Sequence, residues 1–386
     1  MLWLQQVWLQ AIKLKPLNDA LSETALVLIL LTFLSSLLLL LTLAPLSHCR
    51  YWWVRVWDFP RVQLLAIAIM LALASSYYEF EAPLWVSSLQ VITLGCAAYQ
   101  LFWIYPYTIF SRKQVENAQP DWTGTTLKIM VSNVLTPNRQ ANKLLALMEQ
   151  EKPDVLVAVE TDQWWEEHLK PLEQDYPWVI RCPQDNLYGM HVYSRVEVRD
   201  AKIQFLVDET IPSAHLLLVM EDGLEVSLHC LHPMPPSPTE SDDSIDRDAE
   251  LVMVGKSVEQ RDIPVIVTGD MNDVAWSRST RLFLKVSGLM DPRRGRGMFS
   301  TFHASYPFLR WPLDHVFHSK DFVLKDLRRL SSVGSDHYPF YVELLYHPQQ
   351  GAQQQKLACT QDDEKRAKEV LSQVGGHEQH VHRPGE

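Results

Sequence analysis

The sequence predicts a soluble α/β domain that follows a region of membrane-spanning helices, and two observations support this prediction. Apolar residues crowd into the first 110 positions of the 386-residue chain, where three long runs carry no charge. From about Thr125 the pattern changes to short runs rich in Val and Ile, with helical patterns between several of them. A chain of this length has room for one large domain and an accessory region.

The three uncharged runs predict three transmembrane helices at about residues 24–45, 62–78 and 84–105, within a membrane region of residues 1–118. A helix needs about 20 apolar residues to cross a bilayer, and Trp and Tyr at the ends of these runs suit its interfaces. A signal peptide is the alternative for the first run, but its apolar core is too long and no cleavage site follows. The residues before Ala25 predict a short surface helix. A lipid bilayer is therefore an expected partner, and no protein partner is inferred.

Charged residues in the loops predict the orientation of the chain. The loop between the first two runs carries Arg50, Arg55 and Arg61, whereas the next loop carries two glutamates and no basic residue. Because loops rich in Arg and Lys stay in the cytoplasm, this loop and the soluble domain are predicted to be cytoplasmic. Lys13 and Lys15 oppose that orientation. The chain is therefore expected to be a multi-pass protein of a plasma membrane or a bacterial inner membrane.

The soluble domain is predicted to span residues 122–347, and a polar tail follows it. Runs such as DVLVAVE and IPVIVTGD read as strands, and NKLLALMEQE at Asn142–Glu151 reads as a helix. Residues 348–386 are rich in Gln, charged residues and His, a composition that predicts a disordered tail.

Charge and cysteine usage exclude some classes of function. The formal net charge of -11 argues against a broad basic face for duplex nucleic acid. It leaves a phosphate substrate open, because a bound divalent cation can supply positive charge locally. The five cysteines form no CxxC pair, which excludes a disulfide framework and a thiolate zinc site. A single bridge between Cys182 and Cys230 stays open.

Polar side chains stand at the ends of the predicted strands, where residues are accessible and held in position by the strand. Glu160 closes DVLVAVE, and a carboxylate at the end of a buried strand is costly unless it is paired or bound to a cation. Asn133 could instead be an ordinary turn residue. The choice between His229 and His232, both near the end of one strand, is open. The complete set is Asn133, Glu160, His229, His232, Asp270, Asn272, Asp314, Asp336 and His337.

These residue types indicate displacement at phosphorus. Carboxylate and amide oxygens are the ligands that Mg²⁺ and Mn²⁺ prefer, and the sequence has no HExxH motif that would favour zinc. An Asp beside a His orients the imidazole and keeps it cationic, as Asp314 and His337 are expected to do. A cationic imidazole and a metal ion both stabilise charge on phosphate oxygens. The sequence therefore predicts a metal-dependent phosphodiesterase.

The order of the motifs resembles the endonuclease/exonuclease/phosphatase (DNase I-like) superfamily, in a bacterial-type, membrane-anchored form. The segments that carry the resemblance are SNVL, VAVE, YGMHVYSR, LHP, GDMND, PLDHVF and GSDHYPF, between about Thr125 and Leu345. GDxN followed by SDHYP is quite specific to this superfamily. The resemblance implies a four-layer sandwich of two packed β-sheets flanked by helices. It also implies a hydrolase of phosphate esters with Mg²⁺ or Mn²⁺ as cofactor.

The resemblance implies roles for the metal-site residues and for the substrate. Glu160 would be the principal metal ligand, with Asn133 beside it and Asp336 as a possible second ligand. Apart from the resemblance, Arg195, in YSR, is either a substrate contact or an ordinary ion pair, and His229 is the other candidate contact. The expected substrate is a nucleic acid or a phospholipid, and a non-catalytic membrane-bound scaffold on the same fold is the alternative function.

The resemblance also implies catalytic roles. Asp270 would orient or deprotonate the attacking water, and Asn272 would bind the phosphate. His337, held by Asp314, would stabilise the transition state. His232 would be the first active-site histidine, and it counts against the abasic-site branch, which has a Tyr there.

Overall fold

The computed structural model describes residues 25–47, 49–78, 85–259 and 261–386. The predicted surface helix before Ala25 and the loop at residues 79–84 lie outside the described residues. The chain divides into two compact units. The first, here called the membrane unit, comprises the described residues up to Cys49 together with Pro60–Ile104. The second, the catalytic unit, comprises Arg50–Phe59 and Tyr105–Glu386.

The membrane unit contains the predicted spans as helices. Two helices are long and apolar enough to cross a membrane, Ala25–Ser47 and Trp85–Tyr107. The remaining predicted span, at residues 62–78, is an 18-residue helix, which passes the same test only together with residues 52–58, across a bend of 72°. The first four helices of the described chain are α1 (Ala25–Ser47), α2 (Trp52–Arg55), α3 (Arg61–Tyr78) and α4 (Trp85–Ile104).

The catalytic unit contains two β-sheets. The first sheet has six strands in the order β10-β11-β1-β2-β4-β3, and the second has five in the order β5-β6-β7-β8-β9. Neighbouring strands are antiparallel except for the pairs β1–β2 and β7–β8, which are parallel. The strands are β1 (Thr126–Asn133), β2 (Val155–Val159), β3 (Trp178–Cys182), β4 (Met190–Ser194), β5 (Glu197–Gln204), β6 (Ser213–Val219), β7 (Glu225–Leu231), β8 (Val265–Asp270), β9 (Asp314–His318), β10 (Phe322–Arg329) and β11 (Phe340–Tyr346).

The two sheets pack face to face, and helices cover their outer faces. Alternate residues of the strands, such as Val131, Val157, Leu228 and Ile266, point between the sheets and form one buried apolar cluster. Separate apolar clusters lie between each sheet and its helices. The predicted four-layer sandwich is confirmed. Its helices are α5 (Ala141–Glu151) and α6 (Gln163–Leu169) on the first sheet, and α7 (Ile245–Val258) and α8 (Arg278–Ser287) on the second.

The prediction of a disordered tail does not match the structure. Beyond the short helix α9 (Pro348–Gly351), residues Gln361–Val374 form a helix, α10, which begins with a capping box at Thr360. Ala367 and Leu371 bury their side chains in the same apolar cluster as α7 and α8. Composition alone predicts disorder because the segment has few apolar residues. Two of them are enough to dock this helix, because they stand four positions apart on one helix face.

Replacing Leu371 with Ala is expected to lower the free energy of unfolding by about 2 kcal/mol or more, because a buried side chain is truncated. Lys365, an exposed residue of the same helix, provides the matched control Lys365→Ala. Thermal unfolding of the full-length protein in detergent measures both. A disordered tail predicts the opposite result, in which neither variant changes the midpoint.

Two segments next to the membrane helices pack onto the sandwich and belong to the catalytic unit. Trp52 N–H donates to the Asp242 carbonyl at 2.9 Å, and the Tyr107 hydroxyl donates to the Ala275 carbonyl at 2.6 Å. The catalytic unit therefore resumes at Tyr105. The sequence instead predicts a membrane region up to residue 118 and a soluble domain from residue 122. All five cysteines are free.

Candidate active site

Five candidate residues meet at one edge of the sandwich because each ends, follows or begins a strand there. Asn133 ends β1 and Glu160 follows β2, and these strands are parallel, so their carboxyl ends coincide. In the second sheet, Asp270 ends β8 and pairs with Asp314 at the start of the antiparallel β9. His232 follows β7, which is parallel to β8.

His337, in the loop before β11, lies between two buried carboxylates. Its Nδ1 is 2.8 Å from Asp314 Oδ2, and its Nε2 is 3.5 Å from Asp270 Oδ2. Burial alone would lower the pKa of His337, but the two carboxylates outweigh burial and raise it to about 10. The ring is therefore an imidazolium at neutral pH.

The two carboxylates around His337 respond to it differently. Burial would raise the pKa of Asp270, but the positive charge of His337 holds it below its ordinary value. At Asp314 burial prevails over the attraction of His337, and the pKa is raised. Asp270 is thus the more strongly ionised of the two, and it is also the one that Nε2 of His337 faces.

Glu160 presents a buried carboxylate oxygen that lacks a donor. Its Oε1 accepts a hydrogen bond from Asn133 Nδ2 at 2.6 Å, whereas Oε2 has no hydrogen-bond partner among the described residues. Asn133 Nδ2 also donates to Asp270 Oδ2 at 3.1 Å, which joins the two sheets at this edge. Burial raises the pKa of Glu160 to about 7, although Asn133 and His337 act against it. Its φ of 60° lies in the left-handed region, which non-glycine residues adopt mainly at constrained sites.

The turn after β8 holds Asn272 beside Asp270. The Asn272 N–H donates to Asp270 Oδ1, and its Nδ2 donates to the Pro233 carbonyl, both at 3.0 Å. The buried Arg247 donates to the Asn272 carbonyl at 2.9 Å. Asn272 has a φ of 50°, so this turn is also left-handed and held by several partners.

Comparison with protein families agrees with this geometry. The model of the Endonuclease/Exonuclease/phosphatase family matches residues 130–337, which is more than half of the chain. The chain belongs to this family. It is accordingly a hydrolase acting on phosphate esters. No curated protein sequence matches it.

Several solved structures are similar to this chain at low sequence identity. D. rerio TDP2 complexed with a single-strand DNA product is 17% identical, with a TM-score of 0.48, covering 57% of this chain and 99% of its own. The human nocturnin catalytic domain with bound sulfate is 16% identical, with a TM-score of 0.47, covering 58% and 97%. Sphingomyelinase C from Streptomyces griseocarneus is 16% identical, with a TM-score of 0.43, covering 57% and 99%.

Of the two candidate histidines in this family member, the structure brings only His232 to the site. Its ring lies 5.2 Å from the ring of Tyr188, and it feels the charges of Asp270 and His337. Burial lowers the pKa of His232 to about 4, so the imidazole is neutral. Tyr188 was not predicted from sequence, and its hydroxyl donates to the carboxylate of Glu240.

His229 lies within β7, away from the strand ends. Its Nδ1 is 2.7 Å from Nδ1 of His215, its cross-strand partner, and its Nε2 is 2.9 Å from the Ser227 hydroxyl. Burial lowers the pKa of both rings, so the pair is neutral. His229 is therefore a buried structural residue here and not a substrate contact.

Arg195 lies at the opposite edge of the sandwich. It follows β4, which runs antiparallel to β2, and its N–H donates to the carbonyl of Asp154, the residue before β2. Its guanidinium lies 4.6 Å from the centre of the Tyr176 ring. The sequence-based option of a substrate contact at Arg195 is not supported by this position.

Three residues that support His337 were not predicted from the sequence. The Thr301 hydroxyl accepts a hydrogen bond from the Asp314 N–H at 3.3 Å, and the Ser335 hydroxyl accepts one from the His337 N–H at 3.0 Å. The Phe302 ring lies 4.9 Å from the His337 ring. Thr301 and Phe302 stand in a segment without a strand pattern, so no sequence signal marked them.

The site residues fit a divalent cation. Asp270, Asp314 and His337 have ligand-type atoms within 4.8 Å of one another and could bind an ion. A protonated imidazole cannot be a metal ligand, however, which weighs against that set as it stands. Glu160 Oε2 and Asp314 Oδ1 are buried carboxylate oxygens without a partner among the described residues, and such oxygens need a positive charge. Hard oxygen donors of this kind suit Mg²⁺ or Mn²⁺.

Proposed function

We propose that this chain is a membrane-anchored phosphodiesterase that depends on a divalent cation and uses water as the nucleophile. The observation that carries the proposal is the imidazolium of His337, held between Asp314 and Asp270, beside the unpartnered oxygen of Glu160. A fixed cation and a free anionic ligand at one strand edge suit a phosphate whose charge grows during displacement.

Glu160 would hold the cation through Oε2. Asn133, expected from the sequence beside the metal, donates its Nδ2 to both Glu160 and Asp270, and its Oδ1 accepts a hydrogen bond from the Leu135 N–H at 3.0 Å, so it would orient these carboxylates. Asp336 adds negative charge nearby, because it contributes to raising the pKa of both Glu160 and His337. Its Oδ1 accepts a hydrogen bond from the Ser335 hydroxyl at 3.2 Å. Its Oδ2 would then be the oxygen that could serve as a second ligand of the cation. When bound, a divalent cation withdraws electron density from the phosphate and neutralises its oxygens.

Side chains of the protein would orient the attacking water, bind the phosphate and stabilise the transition state. Asp270 stays ionised and accepts a hydrogen bond from the attacking water, which it orients toward phosphorus. Asn272 offers its second Nδ2 hydrogen to a phosphate oxygen. The His337 imidazolium stabilises the negative charge of the transition state. The water oxygen bonds to phosphorus, the bond from phosphorus to the leaving oxygen breaks, and one proton of the water ends on that oxygen.

Anchoring by three spans is supported by the way the chain returns to the catalytic unit. Arg50–Phe59 and Tyr105–Glu386 form one compact unit, so both lie on one side of the membrane. The chain between them must therefore cross the bilayer twice or not at all, and α3 and α4 provide two apolar helices for two crossings. The arginines near Arg50 favour the cytoplasm for this side.

Metal-dependent hydrolysis by the full-length protein tests the proposal. We expect the purified protein in detergent to hydrolyse bis(p-nitrophenyl) phosphate with added Mg²⁺ or Mn²⁺, and to lose this activity with EDTA. Asp270→Asn should lower kcat by about 10³-fold, because it loses the ionised water acceptor. Asp262→Asn, at an exposed residue outside the site, is the matched control. A folded protein that binds no divalent cation and hydrolyses no ester would support the scaffold alternative.

A further inference from the structure

Exposed apolar side chains of the catalytic unit are concentrated in three short segments. Among its described residues, nine of the twelve large apolar side chains that stand exposed lie in residues 51–56, 105–110 and 306–309. Phe110 is 79% exposed and Phe308 is 87% exposed. Concentrations of this kind mark interaction surfaces. The first two segments adjoin the membrane helices in sequence, whereas the third is far from them in sequence.

The third segment is attached to the active site. Phe302, at the start of its loop, forms a backbone bridge with His337 and packs its ring against the imidazole at 4.9 Å. The Ala304 N–H donates to the carbonyl of Asp336 at 2.6 Å. Residues 306–309 follow directly, so their apolar side chains stand at the rim of the site.

The base of the same loop contacts the segment that leads into the membrane. Trp311 packs edge-on against Phe59, with ring centres 5.8 Å apart, and α3 begins two residues after Phe59. Trp276, in the loop after β8, donates its indole N–H to the Asp58 carbonyl at 2.8 Å. Its ring also lies 6.1 Å from that of Tyr107, three residues past α4. Both juxtamembrane segments therefore rest on loops that form the active site.

Basic residues next to these segments suit a lipid headgroup layer. Arg112 and Lys113 follow the exposed Phe110, and with Arg294 and Lys356 they line one surface cavity. Basic residues close to a bilayer attract anionic headgroups by roughly 1 kcal/mol each. Exposed apolar side chains next to basic residues are typical of a protein surface that lies in the membrane interface.

We propose that residues 306–309 insert into the bilayer interface and that the ester hydrolysed at His337 belongs to a phospholipid of that bilayer. This inference rests on the proposed hydrolase function. Burying a large apolar side chain gains about 1.5–3 kcal/mol, which would draw the rim onto the lipid surface. The rival is single-stranded nucleic acid, whose bases also stack on aromatic side chains. The net charge of -11 and the contact between Trp311 and Phe59 favour the bilayer.

The test compares two substrates with one set of variants of the full-length protein. The substrates are bis(p-nitrophenyl) phosphate in solution and a panel of phosphatidylcholine, phosphatidylglycerol and sphingomyelin in mixed micelles. The rim variant combines Tyr306→Ser, Phe308→Ser and Leu309→Ser. Phe205→Ser is the matched control, because Phe205 is exposed and lies in none of the three segments. We expect the rim variant to lose about tenfold or more in lipid hydrolysis and to keep its rate on the soluble ester.

The outcomes separate this inference from the function on which it rests. Unchanged lipid hydrolysis by the rim variant overturns the inference, as does a wild-type protein that cleaves the soluble ester and single-stranded DNA but no phospholipid. Absence of metal-dependent hydrolysis of any substrate overturns the proposed function itself. A photo-crosslinking phenylalanine analogue at position 308 gives a readout without catalysis. It should capture lipid in vesicles, whereas the same analogue at position 205 should not.

Discussion

Replacing His337 with Gln is expected to lower kcat for phosphodiester hydrolysis by about 10³-fold, because the transition state loses a fixed positive charge. Gln can still donate one hydrogen bond to Asp314, so the loss isolates the charge of the ring. Removing that charge leaves two buried carboxylates without their cation, which destabilises the fold by up to about 3–5 kcal/mol. Steady-state kinetics and thermal unfolding are therefore measured on the same preparation.

A second variant distinguishes a catalytic role of His337 from a structural one. Asp314→Asn keeps the shape of the pair but removes the carboxylate that raises the pKa of His337 to about 10. A lower pKa means that the imidazolium deprotonates at lower pH, so the alkaline limb of the pH–rate profile should move to lower pH. His168→Gln, at an exposed histidine, is the control. An alkaline limb that stays in place would show that His337 does not act as a cation.

Side chains at the ends of neighbouring strands meet at one edge of the sandwich for a topological reason. Residues past the carboxyl ends of parallel neighbours lie side by side, which is why Asn133 and Glu160 meet. Arg195, which the sequence offers as a substrate contact or an ordinary ion pair, lies at the other edge because β4 runs antiparallel to β2. Strand direction is set by long-range pairing, which a single sequence does not reveal.

His229 and the tail show two other limits of sequence reasoning. Which of two histidines leaves a strand depends on the last paired residue, here Leu231, and strand limits are the least certain part of such predictions. His229 pairs inside the sheet, and His232 lies beyond it. Composition predicts a disordered tail, whereas the burial of Ala367 and Leu371, four positions apart, stabilises a helix there. Residues such as Thr301, which accepts a hydrogen bond from the Asp314 N–H, reach the site only through tertiary folding, so the local sequence does not mark them.

Glu160→Gln is expected to change stability in opposite directions with and without metal. Without metal, the wild-type carboxylate is buried with one oxygen unpartnered, and burial raises its pKa to about 7. Above pH 7, where the carboxyl group is ionised, the neutral amide avoids the cost of burying that charge, so the variant should unfold at a midpoint a few degrees higher. With saturating Mn²⁺, only the wild type should gain stability, because a ligand that binds the native state shifts the midpoint by mass action.

The activity of the same variant follows from the same carboxylate. Losing the principal anionic ligand should lower kcat/KM by about 10²–10³-fold. Glu167→Gln, at an exposed glutamate in α6, is the matched control and should behave as wild type in both measurements. If Glu160→Gln retained the Mn²⁺-dependent rise in midpoint, the cation would be held elsewhere. Asp270 and Asp314 would then be the ligands to replace, and His337 would have to lose its proton to join them.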